Sequence, residues 1–411
     1  MLARAAVEKA LRVVNDEESR VRAWCFLDSE EALFEADRVD SNESGKLHGI
    51  VLGVKDIFDT SEQPTEYGSP IYSGFRPRAD AGVVALLKHA GAVCLGKTVT
   101  TEFACSYPGP TTNPHRATHT PGGSSMGSAA AVATSMVDVA LGTQTAASIT
   151  RPASFCGIYG FKPTFGTVPI AGMKPVAPSL DTVGWFARTP ELLDRVLTCV
   201  TGRPRFARSY DPPRFAILQF MDPELRSLES DQALLAFEMK ALAAGAKVDK
   251  VGVLDSYLQL HIDHPIIMAY EAARSLAWEH RYRGSELSKE LLALLELGTS
   301  IDPEIYDRIR NHKIAAKLEE EKLFCGADVL VAPAALGEAP EGLESTGDPR
   351  FSRLWTLAGS PTVSVPIARG RTDLPIGIQL IGRLGDDSRL LSVTQWCDSN
   401  FDGLGTSKLT Y

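Results

Sequence analysis

No stretch of the sequence is apolar for the roughly 20 residues that crossing a bilayer requires, so no membrane span is expected. Positive charge is also scarce. The 42 Lys and Arg against 51 Asp and Glu leave a net charge of −9, and no long basic run offers a nucleic-acid surface. Internal repeats and low-complexity segments are absent. The seven cysteines, Cys25, Cys94, Cys105, Cys156, Cys199, Cys325 and Cys397, are odd in number and never form a C-x-x-C pair. That speaks against a disulfide framework; they read as mostly buried thiols of a reducing, cytoplasmic compartment. The start, Met-Leu-Ala-Arg-Ala-Ala-Val-Glu-Lys, carries charges of both signs and reads as an amphipathic helix, not a signal peptide.

What is present is an alternation of two periodicities. Helical spacing appears over Leu2–Val14, Ala81–His89, Pro190–Val200, Asp231–Leu242, Ile266–Tyr282 and Pro303–Leu323. Short β-branched runs lie between, at Gly49–Val54, Ala92–Leu95, Val137–Leu141, Phe215–Leu218, Val329–Ala332, Thr362–Pro366 and Ile376–Ile381. This alternation predicts an α/β fold whose sheet is covered by helices on both faces. The stretch from Arg203 to Arg214 is the best linker candidate, but strands continue in the same style on either side. Residues 1–411 therefore read as a single large domain.

The chemistry concentrates in three short segments. Pro121-Gly-Gly-Ser-Ser-Met-Gly-Ser128 is a small-residue loop before an alanine-rich helix, able to cradle an anion or to serve as a plain capped loop. Its Gly123-Ser-Ser-Met-Gly127 also satisfies the G-x-S-x-G nucleophile elbow, with Ser125 at the centre. That motif needs a buried strand before it, whereas Asn113–Pro121 is polar and holds two prolines. Ser148 follows a predicted strand in a loop of Thr145, Ala146 and Ala147, whose successive N–H groups could form an oxyanion hole or an ordinary turn. Lys55 ends the apolar run Ile50–Val54. A lysine acts as a base only when neutral, and an ordinary pKa of ~10.4 makes that cost about 4.6 kcal/mol at pH 7 unless burial lowers it.

Taken together these segments resemble the amidase signature family. The likeness runs from Gly53-Val-Lys-Asp-Ile-Phe-Asp59 through Pro121-Gly-Gly-Ser-Ser and Gly142-Thr-Gln-Thr-x-x-Ser148 to Arg151-Pro-Ala-Ser-Phe-Cys-Gly157 and Phe161-Lys-Pro-Thr164. Ser345-Thr-Gly-Asp-Pro-Arg350, Arg353-Leu-Trp-Thr356 and Leu374-Pro-Ile-Gly377 extend it toward small bacterial amidases of the malonamidase type. The resemblance implies an α/β/α sandwich around a mixed central sheet, with its core motifs within about residues 50–165. It also implies a Ser–cisSer–Lys triad: Ser148 as nucleophile, Ser124 as bridging serine on a cis peptide, Lys55 as base. Thr145, Ala146, Ala147 and Ser148 would supply the oxyanion hole, with neither metal nor cofactor. By analogy the protein would be a homodimer acting on a small-molecule amide.

Two positions depart from the family pattern. Ala146-Ala147 replaces the usual Gly-Gly, which costs roughly 1–2 kcal/mol if either position needs positive φ and otherwise only narrows the pocket. Met126 replaces a usually small residue. Arg151, three residues past Ser148, is the substrate clue: a clamp for a substrate carboxylate, or a structural ion pair with Asp181, Glu271 or Asp348. His115, His119, His261 and His264 lack metal-ligand spacing and read as pocket-mouth or packing residues. The expected reaction is hydrolysis of a small amide, such as the half-amide of a dicarboxylic acid, to acid and ammonia. The alternatives are an ammonia-producing amidotransferase component with a kinase-like partner, and a degenerate amidase scaffold that only binds.

Overall fold

The computed structural model describes residues 2–42, 45–105, 107–203 and 211–401, so residues 204–210 of the candidate linker lie outside the described residues. Eleven strands form one mixed sheet: β1 (Trp24–Leu27), β2 (Val51–Lys55), β3 (Val93–Thr98), β4 (Val139–Gln144), β5 (Tyr159–Lys162), β6 (Thr182–Ala187), β7 (Arg214–Gln219), β8 (Lys247–Gly252), β9 (Val329–Pro333), β10 (Thr362–Arg369) and β11 (Pro375–Ile381). Their order is β1-β3-β2-β4-β6-β5-β10-β11-β9-β7-β8. β3, β2 and β4 run parallel, as do β9, β7 and β8, while the pairs between β4 and β9 are antiparallel.

The strand period of two divides the core between the faces. Leu52, Val54, Val139, Leu141, Phe215, Ile217, Val329 and Val331 point into one apolar core. Their neighbours turn the other way: Val51 and Ala140 into a second core, Ala216, Leu218, Leu330 and Ala332 into a third. Helices Gly82–His89, Pro190–Thr201 and Leu228–Ala243 cover the first face, and Leu2–Val21, Met126–Ala133 and Arg350–Ala358 the other. The helix-covered sheet expected from the alternation, and the α/β/α sandwich implied by the family likeness, are what the chain builds.

All seven predicted strands form, but four more escape the periodicity. β1 and β5 are only four residues long. β6 contains Gly184, where a Cβ would lie 2.1 Å from Phe161 O on the adjacent strand, so close backbone approach excludes a larger residue. β8 is an edge strand carrying Lys247, Asp249 and Lys250, the charged composition that protects an open edge. Among helices, Ile266–Tyr282 is corrected to Asp255–Ser275 plus Ala277–Arg283. Pro265 lies inside the first of these and disguises its start. Pro303–Leu323 is broken into Pro303–Ile309, His312–Leu318 and Glu320–Phe324. At the first break Asn311 Nδ2 donates to Asp307 O (2.8 Å), a side-chain bond that competes with helix continuation.

Of the cysteines, Cys94, Cys105, Cys156 and Cys397 are buried, and all seven are free thiols. No helix among the described residues is long and apolar enough to cross a membrane.

The helix Met126–Ala133 is pinned onto the ends of β3 and β4. Gly127 N donates to Val99 O (3.1 Å), and Ser128 Oγ donates to Leu141 O (2.7 Å). A Cβ on Gly127 would sit 2.2 Å from Ala23 O and 2.4 Å from Val99 N, both backbone atoms. Gly127→Ala must therefore displace the helix that follows Ser124. A loss of about 3 kcal/mol in unfolding free energy is expected, read from urea denaturation.

Candidate active site

Parallel pairing of β2 with β4 brings their C-terminal ends to one edge, which places Lys55 beside Thr143. Lys55 is fully buried, and its Nζ contacts Thr143 Oγ1 at 2.7 Å and Ser124 Oγ at 2.9 Å. Burial pulls the amine down from 10.5 to about 7. The charge of Asp181, and then that of Cys105, act weakly the other way. The Gly123–Ser124 peptide bond is cis. Ser124 lies two residues ahead of the helix Met126–Ala133, and Ser148 two residues ahead of the helix Thr150–Cys156.

Ser125, the serine at the centre of the elbow-like motif, faces away from this space. It is fully buried, its Oγ donates to Thr143 O (3.3 Å), and no strand precedes it. Met126 is buried as well, and its sulfur accepts from Gly109 N, so it fills the core under that loop.

The loop 145–148 is held from outside. Gln144 Oε1 accepts from Ile149 N (2.9 Å) and Thr150 N (3.1 Å), while Thr356 Oγ1 donates to Ala146 O (2.8 Å). His264 Nε2 donates to Thr145 O (2.7 Å). That bond assigns the ring proton to Nε2, and burial holds the imidazole down at about 3, so it is neutral. Thr145 Oγ1 donates to Asp181 Oδ1 (2.5 Å), whose other oxygen accepts from Val176 N and Ala177 N. With the carbonyls of Thr145 and Ala146 taken, the amides of Ala146, Ala147 and Ser148 donate to no atom among the described residues. Neither alanine is among the residues at positive φ. The replacement of Gly-Gly therefore carries no left-handed strain.

Ser124, Ala146 and Ser148 border one cavity of about 420 Å³, together with Cys105 and Arg151. His264, Met268 and Leu294 also line it, as do the exposed Glu290 and Glu344.

Arg151 is in none of the ion pairs considered from sequence. Asp348 pairs with Arg350 (2.6 Å), Asp181 is occupied as described, and Glu271 accepts from Ser179 and Tyr306. Arg151 instead donates from Nη1 to Gly347 O (2.6 Å) and from Nη2 to Gly123 O (2.6 Å) and Thr346 Oγ1 (2.9 Å). Both N–H groups of Nη2 are consumed, so no edge of the guanidinium keeps two free donors. Arg151 ties the peptide before Ser124 to the loop 346–347.

The other histidines make local contacts. His115 Nε2 lies 2.9 Å from Cys156 O, His119 Nδ1 2.9 Å from Thr118 Oγ1, and His261 Nδ1 3.1 Å from Arg350 O. Sequence reasoning gave no role in the site to Thr143 or Thr356. It weighed Asp181 only as an ion-pair partner of Arg151, and His264 only as a pocket-mouth or packing residue. Thr143 and Thr356 each had a local signal, since they lie inside the Gly142–Ser148 and Arg353–Thr356 segments of the family likeness.

The Amidase family matches residues 5–391. A glutamyl-tRNA(Gln) amidotransferase component from Acinetobacter baumannii is 30% identical, over 97% of this chain and 93% of that protein. A crystal structure of an amidase superposes with a TM-score of 0.89 at 27% identity, covering 97% of this chain and 96% of the other. The peptide amidase of Stenotrophomonas maltophilia superposes with a TM-score of 0.80 at 27% identity, covering 97% and 93%. A buried lysine against Ser124, a second serine on the same cavity, and a match along nearly the whole chain lead to one assignment: the chain belongs to the amidase family of enzymes.

Proposed function

We propose that the protein hydrolyses a small carboxylic amide to the acid and ammonia through an acyl-enzyme on Ser148. The observation that carries this reading is Lys55: fully buried, 2.9 Å from Ser124 Oγ, and held at about 7. At that value about half the amine is neutral at pH 7, and the penalty that an ordinary lysine would carry as a base is removed.

Neutral Lys55 takes the Ser124 proton while Ser124 takes that of Ser148, and Ser148 Oγ bonds to the amide carbon. The carbonyl π pair moves onto oxygen, where the N–H groups of the 145–148 loop receive it. Collapse breaks the C–N bond, and the relayed proton leaves with the nitrogen as ammonia. Water then attacks the ester, losing its proton by the same relay, and the acid departs as Ser148 is restored.

The test is ammonia release from malonamate, succinamate, acetamide, benzamide and glutamine, with Ser148→Ala as control. Release that vanishes in the variant is expected. Release only with added ATP and a partner protein would favour the amidotransferase alternative, and no covalent labelling at Ser148 would favour a scaffold that only binds. A finer expectation concerns Asp181, whose charge supports the protonated lysine. Asp181→Asn is expected to move the acid limb of the pH–rate profile to lower pH, because more acid is then needed to protonate Lys55.

A further inference from the structure

Arg353 borders the same cavity as Ser148, on the helix Arg350–Ala358. Thr356, one helical turn later on that face, bonds the carbonyl of Ala146, so this face of the helix is turned toward the nucleophile loop. Arg353 is only partly exposed, yet its guanidinium has no hydrogen bond or ion pair within the described residues. The nearest acid by electrostatic influence, Asp348, is already occupied by Arg350, whose Nη2 lies 2.6 Å from Oδ2 and whose backbone N lies 2.8 Å from Oδ1. Arg151, the other guanidinium on the cavity, uses three of its five N–H groups on Gly123, Thr346 and Gly347, and its Nε is buried without a partner among the described residues. His261 and His264, which face Arg353 from the helix Asp255–Ser275, are kept neutral by burial first and by this positive charge second or third. The acids on the cavity, Glu290 and Glu344, are exposed, whereas Arg353 is partly buried and Arg151 buried.

We propose that Arg353 binds a carboxylate on the acyl part of the substrate, which makes the substrates monoamides of dicarboxylic acids. This rests on the amidase reading of the cavity. It moves the anion-binding role suggested by the sequence from Arg151 to Arg353. A guanidinium with free donors on both edges grips a carboxylate through two parallel bonds, and partial burial strengthens them. Arg151 acts as a positioning residue that holds the Gly123 carbonyl.

The experiment compares kcat and KM for malonamate, succinamate and glutaramate against propionamide, butyramide and valeramide in wild type, Arg353→Gln, Arg353→Lys and Arg151→Ala. Wild type is expected to favour the acidic member of each pair. Arg353→Gln is expected to reduce that preference on the order of 30-fold, mainly through KM, with Arg353→Lys recovering part of it. Arg151→Ala is expected to lower both classes alike. Calorimetric titration of Ser148→Ala with malonate, succinate and glutarate, with and without Arg353→Gln, reads the anion site without turnover.

Ammonia release with no acidic preference, or an Arg353→Gln loss equal on both classes, overturns the Arg353 proposal and leaves the amidase standing. Dicarboxylate binding that depends on Arg353, with no amide turned over, overturns the amidase and keeps the anion site. Should Arg353→Gln fail to fold, the Arg353→Lys preference decides.

Discussion

Ser148→Ala is expected to reduce kcat by roughly 10⁴–10⁶, the range seen when a serine nucleophile is removed and only binding and oxyanion contacts remain. The loss should fall on kcat more than KM, because the amides of the 145–148 loop and the side chains lining the cavity are untouched. Ser148 borders the cavity and is 7% exposed, whereas Ser125 is fully buried and bonded to Thr143 O. Labelling by a fluorophosphonate therefore belongs on Ser148 and should vanish in Ser148→Ala. Label persisting in the variant would move the nucleophile to Ser124. Protein stability should change little, since Ser148 Oγ makes no hydrogen bond among the described residues.

Lys55→Met is expected to abolish turnover and yet stabilise the fold. Holding a buried amine near 7, against 10.5 in water, costs the folded state about 5 kcal/mol at pH 7. Leaving Ser124 Oγ and Thr143 Oγ1 without their shared partner returns about 1–2 kcal/mol each, so a net gain of about 2 kcal/mol remains. Between about pH 7 and 10.5 the unfolded chain binds a proton at this lysine that the folded chain does not. Wild-type stability at this site therefore rises with pH through that window, and the penalty is constant below it. The advantage of Lys55→Met should be largest at pH 7 and below, and should fade toward pH 10. Denaturation of both proteins at pH 6, 8 and 10 reads it. A variant less stable than wild type at every pH would mean that Lys55 is an ordinary charged lysine.

The wild-type rate should mirror this titration. On the acid side kcat/KM is expected to rise about tenfold per pH unit, then level off above about 7 as Lys55 becomes neutral.

Much of the fold was legible because its signals are local. The buried strands Val329–Pro333 and Pro375–Ile381 announce themselves as apolar runs, and the helix Pro190–Thr201 by its period and its N-terminal Thr189-Pro190. β8 was not legible, because an edge strand with three charged side chains resembles a loop. The helix Asp255–Ser275 began eleven residues before its predicted start, because Pro265, which lies inside it, reads as a breaker in the sequence.

The sequence by itself determined which residue types stand at the end of β2 and before two helices: Lys55 closing an apolar run, and Ser124 and Ser148 each in a loop of small residues. Their family likeness also carried the expectation of a cis bond at Ser124. Tertiary structure alone decided what those groups are able to do. The basicity of Lys55 depends on how much water surrounds it, and that is set by segments far away in the chain. Asp181 and His264 reach the Thr145 turn, and Thr356 the carbonyl of Ala146, from three separate elements. The same holds for the two arginines. Arg151 and Arg353 carry identical side chains on one cavity, and the placement of the Gly123 and Gly347 carbonyls and the Thr346 hydroxyl decides which of them is bonded to the protein.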